Sequence, residues 1–206
     1  MSKVACIKVG IFGAGHVGTA LASGLKRAGH ETRAVGRDAA AIRETVAWAG
    51  LLVLAVPYAA VDDVVALVAR DIEGKTLVDA TNPLDARMEL SIGFSLSAAE
   101  VLQEKLPGAR VVKAFNTIFA RHMDTGCLGD QRLTTFVAGD DLGPKGTVLG
   151  LARQLGFDAV DAGPLKNARL LEPLGALNTQ LGLAQGLGTQ IGFRLVQLRP
   201  SMPSPA

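Results

Sequence analysis

Lys8-Val9-Gly10-Ile11-Phe12-Gly13-Ala14-Gly15-His16-Val17-Gly18 is the stretch whose reading decides the fold. Val9 to Phe12 is a short apolar run of the kind that forms a strand buried on both faces. It breaks into Gly13-x-Gly15-x-x-Gly18, and residues 19–28 then show helical spacing and small side chains. Strand, three glycines and helix is the order of a dinucleotide-binding turn. Gly13 makes the tight turn, Gly15 lets the backbone approach a pyrophosphate, and Gly18 lets the helix pack closely on the strand. The helix N-terminus then presents free N–H groups and a positive dipole end to the phosphates. In a chain with 24 glycines the pattern alone is weak. A plain strand-to-helix turn is the bland alternative, and the flanking elements favour the nucleotide site.

The bulk properties narrow the field. A length of 206 residues suits one α/β domain, or one domain with a small appendage. A net charge of +2 gives no broad nucleic-acid footprint, and 4% aromatic residues leave little for base stacking. Cys6 and Cys127 are far apart, which fits a reduced setting better than a disulfide framework; Cys6, beside the first strand, reads as a small core residue. No apolar run approaches the about 18 residues that span a membrane. Met1 to Lys3 leads straight into the first strand, so no signal peptide and a cytoplasmic location are expected. His16, His30 and His122 have no ligand spacing, and no metal site is expected.

Apolar runs alternate with helical stretches along the chain. Strands are predicted at 31–35, 51–56, 76–80, 110–114, 134–138 and 157–160. Helices are predicted at 38–48, 60–70, 97–105 and 142–155, with Asp38 as an N-cap and Ser97-x-x-Glu100 as a capping box. Residues 167–198 read as mostly helical, kinked by Pro173 and several glycines. This alternation implies an α/β fold, a Rossmann doubly wound parallel sheet with a small C-terminal helical appendage. The expected division is a dinucleotide-binding domain over 1–165, a helical segment over 166–198 and a disordered, proline-containing tail over 199–206.

In such a sheet ligands sit at the carboxyl ends of the strands. After the first strand stand Gly13, Ala14, Gly15, His16, Val17 and Gly18. After the second stands Gly36-Arg37-Asp38, where an NAD site usually places an acid for the ribose 2′-OH. A guanidinium suits a 2′-phosphate instead, so the site reads as NADP-selective; the bland reading of Arg37 is a solvated turn residue. Asp38 stands within a residue or two of the ribose position, and is read as the next helix's cap. Ala55, Val56 and Pro57 follow the third strand, Pro57 either holding the chain under a ribose or only ending the strand. Thr81, Asn82 and Pro83 follow the fourth. Ala114, Phe115 and Asn116 follow the fifth, and the Asn116 amide is a candidate partner for a carboxamide-bearing ring.

Taken in order, Gly13-x-Gly15-x-x-Gly18, Gly36-Arg37, Ala55-Val56-Pro57, residues 112–117 (Val-Lys-Ala-Phe-Asn-Thr) and 136–141 (Phe-Val-Ala-Gly-Asp-Asp) resemble the NADP oxidoreductases dependent on the deazaflavin coenzyme F420. Residues 161–172 and 186–193 resemble that family's approach to its terminal helices and its closing segment. The chain is also similar to the reductase domain of the six-transmembrane metalloreductases, which pass electrons from NADPH to flavin. The resemblance implies a single Rossmann domain, hydride transfer between NADPH and a deazaflavin or flavin ring, and a homodimer. The sequence departs at Ala14 and His16, where the deazaflavin enzymes tend to have Thr and Asn within the turn. It also departs in its short second-strand loop and over 84–94.

Hydride transfer between rings needs proximity and exclusion of water more than an acid or base. His122 and Arg121 lie close enough in sequence to Asn116 to approach a substrate, or else sit on a surface helix. Asn178 and Gln180 reach a ring or lie on a solvated helix face. Two further readings are kept: a reductase of a small carbonyl or imine, which needs a proton donor, and a non-catalytic NADP-binding sensor.

Overall fold

The computed structural model describes residues 5–197. Strands β1 (Lys8–Phe12), β2 (Glu31–Val35), β3 (Leu51–Leu54), β4 (Thr76–Asp79) and β5 (Arg110–Lys113) form a parallel sheet in the order β2-β1-β3-β4-β5. Side chains alternate across a strand, and here both faces are covered. Val9, Ile11, Leu51 and Val53 join one core with Leu21 and Leu25 of α1 (His16–Arg27) and Val148 and Leu151 of α5 (Leu142–Gln154). Phe12, Leu52 and Leu54 join the other with α2 (Ala39–Trp48), α3 (Val61–Val68) and α4 (Ala98–Lys105). Each such buried side chain contributes about 1.5–3 kcal/mol by leaving water. The doubly wound arrangement is therefore as expected.

The local start signals also hold. Asp38 accepts the Ala41 N–H at 2.7 Å and caps α2. Ser97 and Glu100 close the capping box of α4. The third strand stops at Leu54, and a 3-10 turn, Tyr58–Ala60, precedes α3.

Three expectations are corrected. After β6 (Cys127–Leu128) and β7 (Gln131–Arg132), which form a small antiparallel hairpin, β8 (Thr134–Val137) pairs in parallel with β9 (Asp158–Asp161). That pair meets the main sheet antiparallel, through reciprocal Lys113 and Ala138 backbone bonds of 2.8 and 3.0 Å. The connection from β5 to β8 holds a short turn and the hairpin rather than a crossover helix, so the chain does not return parallel. Second, the C-terminal part is helical only through α6 (Ala168–Thr179) and a π turn, Gln180–Ala184. Gly186 and Gly188 then take φ of +75° and +72°, and residues 185–197 run as irregular chain along β8, where Phe193 O accepts the Thr134 N–H at 2.9 Å. Third, Cys6 is exposed, because β1 begins only at Lys8. Residues 1–3 and the expected tail lie outside the described residues. No helix among the described residues is long and apolar enough to cross a membrane.

A buried ion cluster joins the carboxyl ends of β4 and β5 to α4 and α6. Lys113, fully buried, sets its Nζ 2.8 Å from Asp79 Oδ2, 3.0 Å from Glu172 Oε1 and 2.7 Å from Thr81 O. Glu172 also accepts the Ala98 and Ala99 N–H groups at 2.9 and 3.1 Å, at the positive end of α4. Burial favours the neutral amine, but Asp79 and Glu172 outweigh it and hold the Lys113 ammonium above the ordinary lysine range.

Arg169 of α6 forks onto Glu100 of α4 at 2.8 and 2.7 Å. The Arg169 hydrogen bonds, then those from Ser97, hold the Glu100 carboxyl down to about 2 from an ordinary 4.5, against the upward push of burial. A depressed carboxyl contributes stability above its unfolded value, and the contribution fades as pH falls toward the folded one. Urea midpoints of wild type and Glu100→Gln are therefore expected to differ at pH 6 and to converge between about pH 4.5 and about 2. A gap that stays constant over this window would contradict the assignment.

Candidate functional site: the strand-end crevice and its cleft

Register brings the site together. Phe12 stands level with Val35 and Leu54, Leu54 with Asp79, and Asp79 with Lys113. The turns that follow these residues therefore open side by side at the carboxyl edge of the sheet.

Gly13 closes β1 at φ +117°, and a Cβ there would lie 2.2 Å from Ala55 O. Its N–H donates to Val35 O at 2.9 Å, and the Ala55 N–H to Phe12 O at 2.8 Å, which ties the turn to the ends of β2 and β3. Gly18 is buried, and a Cβ there would lie 1.8 Å from Gly13 O. Gly15 is different. It is the N-cap of α1, with no side-chain cap and no acid in the first turn. A Cβ on Gly15 would meet nothing within 4 Å. The fold itself does not demand glycine at this place. What glycine leaves there is open space in front of unpartnered helix N–H groups, a seat that fits a phosphate.

The remaining predicted positions fall as follows. Ala14, His16, Gly36 and Arg37 are exposed, and Val17 is half-buried. Asp38 is exposed and caps α2 by accepting the Ala41 N–H, in line with its reading as a helix cap. Ala55 and Val56 are half-buried and Pro57 is exposed; Thr81 and Pro83 are buried, with Asn82 half-buried between them. Ala114, Phe115 and Asn116 are all buried. Phe115 takes φ +68° at the strand end and turns its ring into the core against Phe157, 5.9 Å between centroids. That backbone costs about 1–3 kcal/mol and persists because its surroundings fix it.

The Asn116 amide is not a free recognition group. Its Nδ2 donates to Asn82 Oδ1 at 2.9 Å and to Leu171 O at 2.7 Å, while Asn82 Nδ2 donates to Asn116 O at 2.7 Å. Both amide hydrogens of Asn116 are used in bracing the loops after β4 and β5 against α6. Gly175 of α6 lies so close that a Cβ there would stand 2.4 Å from Asn82 Oδ1. His122 is buried rather than on a surface helix, its Nδ1 3.1 Å from Cys127 O and its Nε2 3.1 Å from Thr189 O. Asn178 is buried and donates to Thr117 O at 3.1 Å, and Gln180 is exposed.

A cleft of about 760 Å³ opens beside the glycine turn. One wall is α1, through His16, Thr19, Ala20 and Ser23; the other is the turn after β5, through Phe119, Ala120 and Arg121, with Asp124 and Thr189 at its margin. Arg37, Pro57 and the loop after β4 lie outside it. Sequence reading missed this cleft, although its α1 wall has the helical spacing of one face. It also missed the Lys113 cluster, whose signal was a lysine and an aspartate closing two adjacent apolar strands.

Comparison with known proteins agrees with this geometry. Residues 8–52 match the family model described as NADP oxidoreductase, coenzyme F420-dependent. The chain is 29% identical over 160 residues to the F420-dependent NADP reductase of Methanothermobacter marburgensis, covering 73% of this chain and 70% of that one. It is 37% identical over 106 residues to the rat metalloreductase STEAP3, which is 52% of this chain but only 21% of that protein. A solved structure from Arthrobacter sp. FB24, described as a candidate F420-dependent NADP reductase, superposes with a TM-score of 0.84 at 28% identity, over 93% of this chain and 100% of that one. The chain spans about a fifth of the length of the metalloreductases it matches. In its motifs, in the family model that its first strands match, and in its fold, the chain is similar to the coenzyme F420-dependent NADP oxidoreductases.

Proposed function

We propose that the chain is an NADP-dependent oxidoreductase that passes a hydride between NADP(H) and a deazaflavin or flavin ring. The observation that carries the reading is the open N-terminus of α1 at Gly15, in line with the other strand ends. The Gly15, His16 and Val17 backbone would hold the pyrophosphate, and Arg37 the 2′-phosphate. The loops at Ala55–Pro57, Thr81–Pro83 and Ala114–Asn116 would border the nicotinamide through their backbone, the Asn82 and Asn116 side chains serving as braces. NADPH, when bound, supplies the hydride. Two of the named relatives are described as F420-dependent NADP reductases, and the cleft beside the turn offers room for a second flat ring.

Reduction of a small carbonyl or imine would need a proton donor. Lys113 and His122, two buried titratable groups near the strand ends, are engaged with carboxylates and backbone carbonyls. This arrangement favours ring-to-ring transfer, which needs no such donor.

A homodimer is part of the proposal. Leu170 and Leu177, seven residues apart, lie on one face of α6, exposed at 67% and 49%, and Leu183 and Leu187 beyond it are exposed as well. Sedimentation of Leu170→Glu/Leu177→Glu is expected to give a monomer where wild type gives a dimer; a wild-type monomer would refute the pairing.

Two substitutions separate fold from cofactor. Gly15→Ala fills empty space, so its thermal midpoint is expected to match wild type while NADPH affinity falls at least tenfold by fluorescence titration. A variant that binds NADPH normally would remove the turn from the site. Arg37→Ala should raise the Michaelis constant for NADPH and leave that for NADH nearly unchanged, with a loss of about 1.5–3 kcal/mol for the charged hydrogen bond. Equal effects on both cofactors would overturn the role of Arg37.

A further inference from the structure

The cleft is longer than the cofactor requires. A dinucleotide at this fold crosses the strand ends, from the loop after β2 on one side to the loops after β4 and β5 on the other. The cleft instead runs down the flank of α1. Its wall residues His16, Thr19 and Ser23 descend two turns of the helix, about 10 Å at 1.5 Å per residue, away from the glycine turn. Arg37 does not line the cleft, and Thr19, Ser23 and Arg121 are not among the residues proposed to hold NADP.

Its chemistry is that of an anion seat. Arg121 faces α1 from the opposite wall; Ser23 and Thr19 stand on the α1 side, where the Thr19 hydroxyl donates to Ala14 O at 3.3 Å. Among the described residues the Arg121 guanidinium hydrogen-bonds the Thr189 hydroxyl alone, at 3.4 Å, a contact long enough for an incoming anion to displace. The carboxylate at the margin, Asp124, is engaged by Arg27, whose guanidinium donates to its backbone carbonyl and lies 3.5 Å from its Oδ2. The arm thus sets the Arg121 cation across from the Ser23 hydroxyl, with the Asp124 carboxylate engaged by Arg27.

We infer that this arm binds the phosphorylated side chain of the ring acceptor, with Arg121 as its specificity-determining residue. The inference rests on the reading that the second substrate is a flat deazaflavin or flavin ring. It adds that the acceptor is recognised at two points: its ring beside the nicotinamide, and its phosphate at Arg121. A ring that lacks the phosphate engages only the first.

Flavin mononucleotide and riboflavin test this, since they share one ring and differ in the phosphate. Each is titrated by flavin fluorescence against the full chain saturated with NADP. Wild type is expected to bind flavin mononucleotide about tenfold tighter than riboflavin, the scale of one charged hydrogen bond at a solvent-accessible site. The preference should collapse toward unity in Arg121→Gln, survive in part in Arg121→Lys, and shrink with added salt. Equal wild-type affinities would overturn the inference. So would an Arg121→Gln variant that keeps the preference but loses NADPH affinity, because the anion at Arg121 would then be the cofactor's own pyrophosphate. NADPH oxidation with the same two flavins and with a deazaflavin is read separately. Failure of every ring to be reduced, with the phosphate preference intact, would remove the oxidoreductase reading and leave the seat standing.

Discussion

The ammonium of Lys113 holds the working edge of this molecule in place. It stands at the end of β5 with no access to water, and its three hydrogens meet Asp79, Glu172 and the Thr81 carbonyl. Those partners belong to β4, to the loop beyond β4 and to α6, and Glu172 extends the cluster to the start of α4. Buried charge of this kind adds little net stability, because desolvation offsets most of the attraction. What it sets is position: with either carboxylate or the ammonium displaced, a charge would be left unpaired in a dry interior. The loops after β4 and β5 therefore have few places to be.

The glycine turn depends on the same alignment from the other side. Parallel strands in register place the ends of β1, β2 and β3 level with those of β4 and β5. Gly13 and Gly18 are fixed by the protein's own packing, whereas nothing in the fold requires glycine at Gly15. Two of the three glycines thus serve the fold, and the proposed function gives the third to a ligand. A motif match alone does not make that distinction.

Much of this was legible in the sequence because the signals were local. Central strands buried on both faces read as apolar runs, and the cap of α2 and the capping box of α4 are complete within four residues. What failed depended on distant contacts. The antiparallel junction of β8 is decided by the absence of a helix between residues 114 and 133, which strand patterns do not reveal. Asn116 looks the same in sequence whether its amide is free or braced by Asn82 and Leu171. The helical reading of residues 167–198 fails beyond Ala184, where Gly186 and Gly188 take positive φ. The cleft needed α1 and the turn at Phe119–Arg121 to be brought face to face, and no local pattern records that meeting.

The brace between Asn82 and Asn116 has a consequence for the thermodynamics of binding. A loop that a ligand must order loses about 1–2 kcal/mol of backbone conformational entropy per residue at the moment of association. Here the two loops proposed to border the nicotinamide are already tied to each other, to α6 and to Lys113 by hydrogen bonds of 2.7 to 3.0 Å. Their disorder is given up during folding, once, and not again at each encounter with a cofactor. A surface prepared in this way lets a dinucleotide arrive and leave repeatedly without the protein refolding around it, which is what turnover asks of a carrier that is exchanged in every cycle.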